Sequence, residues 1–146
     1  APTMAARAEG IEPDLTLARS ALAELCTRHS TVIVEGIGGI LVPLDRDALV
    51  IDFAAHAGFP VLVVCRAGLG TINHTLLSIE ALRRRGLPLA GVVMNGPETP
   101  HNRTAIEHYG AVNVIAEIPW LQSVTRATLR AIEPELDLEK LARAET

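Results

Sequence analysis

The sequence predicts an α/β fold in which a parallel sheet carries helices on both faces. Short apolar runs rich in Val and Ile alternate with stretches of Ala and Leu at helical spacing. The chain is 49% hydrophobic but only 3% aromatic, so aliphatic side chains must build its core. Its 146 residues suffice for one domain, and we expect a single α/β domain over residues 1–146.

The amino-terminal part predicts a helix, a strand and a second helix. Residues 13–29 begin with a proline, which pre-sets the helical backbone. Apolar side chains at helical spacing line one face of this segment: Leu15, Ala18, Leu22 and Leu25. Residues 31–34 are an unbroken apolar run, typical of a strand covered on both faces. A helix is expected over residues 45–57, and Gly58 is expected to end it.

The rest of the chain predicts strands and helices in alternation. Strands are expected over residues 60–65, 89–94 and 113–118, with helices over about 73–85 and 102–109 between them. Right-handed crossovers make these strands parallel, so their carboxyl ends share the edge of the sheet where ligands bind. A polar, amphipathic closing helix is expected from residue 134 onward.

Charge and composition narrow the function classes. A net charge of −4 and a pI near 5.7 disfavour binding to nucleic acid or to an acidic membrane. Cys26 and Cys65 form neither a metal-ligand pattern nor a disulfide framework, which suits a reducing cytoplasm. No apolar run approaches the ~20 residues that span a bilayer. The chain begins without Met and without a signal segment, so we expect a cytoplasmic protein, cut from something longer.

Glu35 is the most informative single residue, because it ends the apolar run over residues 31–34. Gly36, Gly38 and Gly39 follow it and leave the backbone bare enough for phosphate to approach. A carboxylate at this position can bind magnesium beside nucleotide phosphates. The alternative is that Glu35 caps the next helix or pairs with an arginine. The phosphate loop G-x-x-x-x-G-K-[ST] is absent, and the only lysine is Lys140.

Three further segments are expected at the same edge of the sheet. Residues 70–74 open a helix whose first N–H groups suit an anion, although Thr71 or Asn73 can instead be an ordinary N-cap. Asn95 either reads a base edge through its amide or shapes the turn before Gly-Pro. Trp120 either packs on a base or covers the edge of the core.

Taken together, these motifs resemble dethiobiotin synthetase, the ATP-dependent cyclo-ligase of biotin synthesis. The matching motifs cover residues 34–44, 68–74, 91–95 and 117–119, in family order and at family spacing. Any one of them is weak alone, but four in order are specific. Ile37 stands where the family usually has alanine. The resemblance implies a phosphate-loop NTPase-like fold of which this chain is the carboxyl-terminal two-thirds, lacking the segment with the phosphate loop.

The resemblance also implies ATP and Mg²⁺ as cofactors and assigns their contacts. Glu35 is the implied magnesium ligand. The implied nucleotide-binding residues are Glu35, Gly36, Ile37, Gly38, Asn95, Gly96, Pro119, Trp120 and Leu121. The implied substrate-binding residues are Gly39, Gly70, Thr71, Ile72 and Asn73. The last four lie, by resemblance, at a two-fold interface of a homodimer, where they meet the carboxylate tail of the substrate. No residue of the chain is assigned a catalytic role.

The implied reaction closes the ureido ring of dethiobiotin from 7,8-diaminopelargonic acid and CO2. A carbamate of the diamine attacks the γ-phosphate of ATP, and the second amine then expels phosphate. We expect the 146-residue chain to be inactive alone, because it has no phosphate-loop lysine. We expect it to bind neither nucleic acid nor membrane. The alternative is a non-catalytic nucleotide-binding and dimerisation homologue of the same family.

Overall fold

The computed structural model describes residues 1–132, so the closing helix expected from residue 134 lies outside the described residues. The chain divides into two compact units, residues 1–59 and the part from residue 60 onward. The first unit contains α1 (Pro2–Glu9), α2 (Leu15–Arg28) and α3 (Val50–Ala57). The second contains β1 (Val61–Arg66), α4 (Thr71–Arg84), β2 (Leu89–Asn95), α5 (Pro100–Gly110), β3 (Val114–Ile118) and α6 (Arg126–Ile132).

The helix predicted over residues 13–29 is confirmed as α2. The carboxylate of Asp14 caps it by accepting hydrogen bonds from the N–H groups of Thr16 at 2.8 Å and Leu17 at 3.1 Å. Leu22 is buried, whereas Leu25 at the far end of the predicted face is 42% exposed. The buried stripe of α2 is therefore narrower than the sequence pattern indicates.

The strand predicted over residues 31–34 is absent, and this prediction was wrong. Residues 31–36 form no ladder with any described residue, and Ile33 is 91% exposed. An apolar run becomes a buried strand only where neighbouring strands satisfy its N–H and C=O groups. The described part of the first unit offers no such neighbour: its one β pairing is an isolated antiparallel bridge between Pro43 and Leu49.

The helix predicted over residues 45–57 begins only at Val50. The carboxylate of Asp45 accepts hydrogen bonds from two backbone N–H groups that follow it, the nearer at 2.7 Å from Ala48. This turn competes with the helix for the same backbone groups, so the helix starts after it. The carboxylate of Asp52 then caps α3 from within its first turn, and Gly58 ends it with φ of 69° as predicted.

The second unit is a parallel three-stranded sheet in the order β1-β2-β3. Helices α4 and α5 form the crossovers; α4 packs against β1, β2 and α5, while α5 also packs against β3. Both helices therefore cover the same face of the sheet. The predicted parallel α/β class is confirmed here in three of its four predicted strands, although α4 and α5 cover one face of this sheet and not the two faces predicted. The most deeply buried aliphatic side chains of this unit are Ile79, Leu82, Val92, Met94, Ile106 and Val114.

Two helices of the structure, α1 and α6, are absent from the sequence prediction. Helix α1 has Pro2 in its first turn and ends at Gly10. Proline at the start and glycine at the end are helix-boundary signals that are visible in the sequence. Helix α1 buries only Ala6, however, and the described residues of α6 bury no side chain, so apolar periodicity could not reveal them. Within residues 1–132, no helix combines the length and the apolar character needed to cross a bilayer.

Candidate functional site

The second unit gathers three of the predicted binding segments along one edge of its sheet. These are the β1–α4 segment (residues 67–73), the β2–α5 turn (residues 95–96) and the post-β3 segment (residues 119–121). The N–H of Ala67 donates to the carbonyl of Asn95 at 3.0 Å, and the N–H of Gly96 donates to the carbonyl of Ile118 at 2.8 Å. The ladder thus continues past the last strand residues and joins the three segments where parallel sheets bind ligands.

Gly96 is the point at which these segments come closest. Its φ of +136° is a backbone conformation that side chains disfavour. A Cβ on Gly96 would lie 3.2 Å from the Cβ of Ala67 and 3.7 Å from the indole Nε1 of Trp120. The structure therefore brings the indole against the β2–α5 turn.

The predicted base-binding side chains at this edge are accessible. Trp120 is 75% exposed, and Asn95 is exposed with no side-chain hydrogen bond to any described residue. Pro119 is exposed and Leu121 is half-buried beside it. The edge thus presents an amide with free donor and acceptor groups and an exposed indole on the neighbouring segment, two groups that can contact a planar heterocycle.

The cap of helix α4 differs from the sequence alternative. Gly70, with φ of +86°, is the N-cap, and no side chain caps the helix. The interpretation of Thr71 or Asn73 as an ordinary N-cap is therefore wrong. A glycine there adopts the left-handed backbone without strain, and the imidazole of His74 packs beside it, with its Cε1 3.3 Å from where a Cβ would lie.

The first turn of α4 retains free hydrogen-bond donors. The N–H groups of Thr71 and His74 donate to carbonyls of the same segment at 3.2 and 3.1 Å. Those of Ile72 and Asn73 donate to no acceptor within residues 1–132. Together with the helix dipole, two free N–H groups at a helix start favour an anion such as a carboxylate or phosphate.

Two threonine hydroxyls lie buried in the first turns of α4. Thr71 and Thr75 are 4% and 1% exposed, and neither hydroxyl has a partner among the described residues. Leaving a buried hydroxyl unpaired is costly, so a polar partner that reached either oxygen would relieve this cost, although both oxygens are closed to solvent in this structure. The sequence reasoning missed Thr75, which could have been found from its spacing of one helical turn from Thr71.

The first unit carries the other predicted segment, the glycine turn (residues 35–39). Gly38 has φ of +74°, and a Cβ on it would lie 3.2 Å from the side chain of Val42. A Cβ on Gly36 would lie 3.1 Å from the side chain of Val50. Packing and backbone conformation thus explain these two glycines without a ligand. A Cβ on Gly39 meets nothing within 4 Å, and Ile37 is 63% exposed.

Glu35 is exposed and unpaired in the described part of the chain. It neither caps α3, which Asp52 caps, nor pairs with an arginine, so neither alternative raised by the sequence is observed. Within residues 1–132, no group of three or more His, Cys, Asp or Glu side chains could hold a metal ion. One free carboxylate fits a magnesium ion whose other ligands are phosphate oxygens and water, and does not fit a metal site built by protein alone.

Arg103 on α5 is a structural residue that the sequence reasoning missed. Its Nη1 donates to Glu117 at 2.9 Å, and its Nη2 donates to the carbonyl of Val114 at 3.2 Å. The hydrogen bond to Glu117 raises the pKa of the Arg103 guanidinium, although burial opposes this. Arg103 thus ties α5 to the strand that leads into the post-β3 segment.

A cavity of about 510 Å³ lies against α4 and α5 and does not coincide with the predicted site. None of the predicted binding residues lines it. Its charged lining residues include Arg84, which pairs with Glu80, and Arg83, which donates to the carbonyl of Ala111 at 2.8 Å. The candidate site is therefore the open edge of the sheet.

Comparison with known proteins gives a consistent result. Residues 1–128 match the family described as AAA domain. The ATP-dependent dethiobiotin synthetase of Paramagnetospirillum magneticum is 55% identical over 103 residues, which are 70% of this chain and 50% of that protein. The corresponding synthetase of Anaeromyxobacter dehalogenans is 49% identical over 132 residues, 86% of this chain and 59% of that protein. The biotin biosynthesis bifunctional protein of Bordetella avium is 55% identical over 93 residues, 64% of this chain and 20% of that protein.

These matches confirm the resemblance predicted from the four motifs. They also confirm the predicted fold class, an incomplete α/β fold of the phosphate-loop NTPase type. The chain spans about half the length of the first of these synthetases.

Proposed function

We propose that this chain, which belongs to the AAA domain family, is the carboxyl-terminal part of an ATP-dependent dethiobiotin synthetase. The proposed reaction closes the ureido ring of dethiobiotin from 7,8-diaminopelargonic acid and CO2, with ATP and Mg²⁺, in the cytoplasm. The observation that carries the proposal is the joined sheet edge. There the N–H groups of Ala67 and Gly96 link the three segments that resemble the family's binding segments.

In this proposal the edge binds the adenine of ATP. Asn95 and the post-β3 segment hold the base, because the free amide offers paired donor and acceptor groups and Trp120 offers an exposed aromatic face. Gly96, which has no side chain, lets Ala67 and the indole of Trp120 pack close to this turn. The role of these residues is to position the nucleotide, and positioning is a large part of phosphoryl-transfer catalysis.

The first turn of α4 is proposed to bind the carboxylate of 7,8-diaminopelargonic acid. The free N–H groups of Ile72 and Asn73 and the buried hydroxyl of Thr71 support this assignment. Gly70 caps this turn without contributing a side chain, and Gly39 of the first unit stays a proposed substrate-binding residue by resemblance. Holding the carboxylate tail would orient the two amines that react.

Glu35 is proposed as a magnesium ligand, with residues 36–38 near the phosphates. Magnesium, when bound, neutralises phosphate charge during transfer. The exposed, unpaired carboxylate of Glu35 supports this assignment. The phosphate loop and its lysine, which this sequence does not contain, are proposed to come from an amino-terminal segment of the complete enzyme.

A chimera tests the proposal directly. The amino-terminal segment of the Paramagnetospirillum magneticum synthetase, including its phosphate loop, is joined ahead of Ala1. Dethiobiotin is then measured with ATP, Mg²⁺, bicarbonate and the diamine. We expect product from the chimera and none from the 146-residue chain. We expect Glu35→Gln in the chimera to lower the rate at least about a hundredfold, since it removes a metal ligand. Glu12→Gln, at an exposed position outside the proposed site, is the matched control.

Two outcomes would contradict parts of the proposal. Turnover by the 146-residue chain alone would support the activity but show that the missing lysine is not needed. A folded chimera that binds ATP but forms no product would favour the alternative, a non-catalytic nucleotide-binding and dimerisation homologue.

A homodimer is part of the same proposal. The side chains of Leu69 and Leu77, which flank and follow the first turn of α4, are fully and 56% exposed, and this supports a partner surface there. Light scattering of the chimera tests it. We expect a dimer, and Leu69→Asp should shift it toward monomer, whereas Leu129→Asp at another exposed leucine should not.

A further inference from the structure

The carbonyl of Ala67 is held by two side chains from the start of α5. Thr99 Oγ1 donates to it at 3.1 Å, and Asn102 Nδ2 donates to it at 2.9 Å. A carbonyl oxygen has two lone pairs, so this acceptor is saturated. All three residues are buried or half-buried, which limits competition from water.

The N–H of Ala67 is bonded to the β2–α5 turn as well. It donates to the carbonyl of Asn95 at 3.0 Å, and Ala67 is only 2% exposed. Both backbone polar groups of this residue are therefore fixed by the β2–α5 connection. Ala67 also packs close to Gly96, since a Cβ added to Gly96 would lie 3.2 Å from the Cβ of Ala67.

Ala67 is also the residue from which the β1–α4 segment departs. Gly68 follows it and accepts the N–H of Thr71 at 3.2 Å, so the start of α4 is one short turn away. A displacement of Ala67 would move the proposed carboxylate-binding turn. The same displacement would break the hydrogen bond to Asn95 and disturb the proposed adenine-binding turn.

We propose that Thr99 and Asn102 are positioning residues. Through the carbonyl of Ala67, they fix the position of the β1–α4 segment relative to the β2–α5 turn. This inference rests on the proposed function, because the proposed function assigns a different ligand to each of the two segments. Neither residue is proposed to touch a ligand; both act through Ala67.

Amide hydrogen exchange, followed by NMR on the full 146-residue chain, tests the positioning without any ligand. Thr99→Val removes the hydroxyl at nearly constant volume, and Asn102→Ala removes the amide. We expect exchange at the N–H groups of Thr71 and His74 to speed up roughly fivefold for each hydrogen bond lost. Exchange at Val92 in the core of β2 should not change.

The matched control is Thr104→Val on the same helix, where the hydroxyl donates within α5 to the carbonyl of Pro100 at 2.9 Å. It should leave the β1–α4 segment as protected as in the wild type, and Thr99→Ser should retain protection. Unchanged exchange at Thr71 and His74 in both variants would overturn the inference. So would equal acceleration at Val92, which indicates a general loss of stability. If Asn102→Ala fails to fold, the isosteric Thr99→Val decides alone.

Binding of adenosine and of 7,8-diaminopelargonic acid to the same variants separates this inference from the proposed function. We expect Thr99→Val to weaken both ligands by a similar factor, roughly fivefold, and Thr104→Val to weaken neither. Wild-type binding of both compounds with no loss in the variants would overturn the positioning role while the proposed function stands. A wild-type chain that binds neither compound, with the local exchange effect present, would reject the proposed function and leave the positioning role intact.

Discussion

Ala67 and Gly96 show how much of the candidate site depends on single small residues. Each of them lies between a strand end and a helix start, where backbones approach too closely for larger side chains. The contact between them brings the β1–α4 segment to the β2–α5 turn, and Trp120 closes against the same point. A substitution at either position should therefore affect folding and binding together.

Gly96→Ala should destabilise the chain by about 1–3 kcal/mol. The added Cβ requires a non-glycine residue at φ of +136° and would lie 3.2 Å from the Cβ of Ala67. Urea denaturation measures the change. Gly68→Ala is the matched control, because its φ is not positive and its Cβ would meet nothing within 4 Å; it should alter the stability by less than about 0.5 kcal/mol. Equal losses in the two variants would contradict the packing described for Gly96.

At the scale of elements, α5 is tied to the sheet edge by polar side chains at several points. Thr99 and Asn102 hold the segment after β1, and Arg103 holds β3. Hydrogen bonds in partly buried places are directional, so they specify where a helix start lies more sharply than apolar packing does.

Arg103→Ala should lower the free energy of unfolding by about 1–2 kcal/mol, after allowance for partial exposure to solvent. The substitution removes the hydrogen bonds to Glu117 and to the carbonyl of Val114. Arg28→Ala is the matched control, since its pair with Glu24 is exposed at 64% and 67% and should contribute less than about 0.5 kcal/mol. Denaturation curves that give Arg28→Ala the larger effect would contradict this ranking.

The loss caused by Arg103→Ala should not depend on pH between neutrality and about pH 9. The hydrogen bond to Glu117 raises the pKa of the folded-state guanidinium. When the folded-state pKa is raised, the contribution of the group to the free energy of unfolding is complete below its unfolded-state pKa. This contribution is lost only as the pH rises through the folded-state pKa, which lies above this range. Unfolding measured at both pH values checks this. A loss that halves at the higher pH would mean that another titrating group dominates.

Ile33→Ala should change the stability by less than about 0.5 kcal/mol in this chain, although Ile33 lies in an apolar run that predicts a buried strand. Its side chain is 91% exposed, so little apolar contact is lost. Ile51→Ala in the same unit, where the side chain is 1% exposed, should cost about 2–5 kcal/mol. Thermal or urea unfolding distinguishes them, and a large loss at Ile33 would show that residues 31–34 are packed in solution.

The contrast between residues 31–34 and the strands of the second unit explains what the sequence could predict. The patterns of β1, β2 and β3 were interpreted correctly because each strand has its neighbour within the described chain. Residues 31–34 have an equally apolar pattern but no described neighbour. Likewise Asn95 and Trp120 were predicted from their places after strands, whereas Thr99 and Asn102 were not, because their contacts with Ala67 join residues more than 30 positions apart.

For the whole molecule, the proposed function implies an imbalance among the parts of a phosphoryl-transfer site. In that proposal the sheet edge binds a base and a carboxylate, and Glu35 is a metal ligand. The sequence contains no phosphate-loop motif and therefore no phosphate-loop lysine, and these normally hold the β- and γ-phosphates. Affinity of this chain for a nucleotide should therefore come from the nucleoside and owe little to the phosphates.

Adenosine and ATP should accordingly bind the 146-residue chain with Kd values within about tenfold of each other, a difference of about 1.4 kcal/mol. Trp120 is the only tryptophan of the sequence and lies against the β2–α5 turn, so its fluorescence reports binding at that edge. Trp120→Phe should abolish the signal, and calorimetry supplies an independent Kd. In the chimera with a phosphate loop, ATP should bind far more tightly than adenosine, because its phosphates gain backbone and lysine contacts. Preference for ATP by more than about a hundredfold in the chain alone would show that these residues hold phosphates unaided.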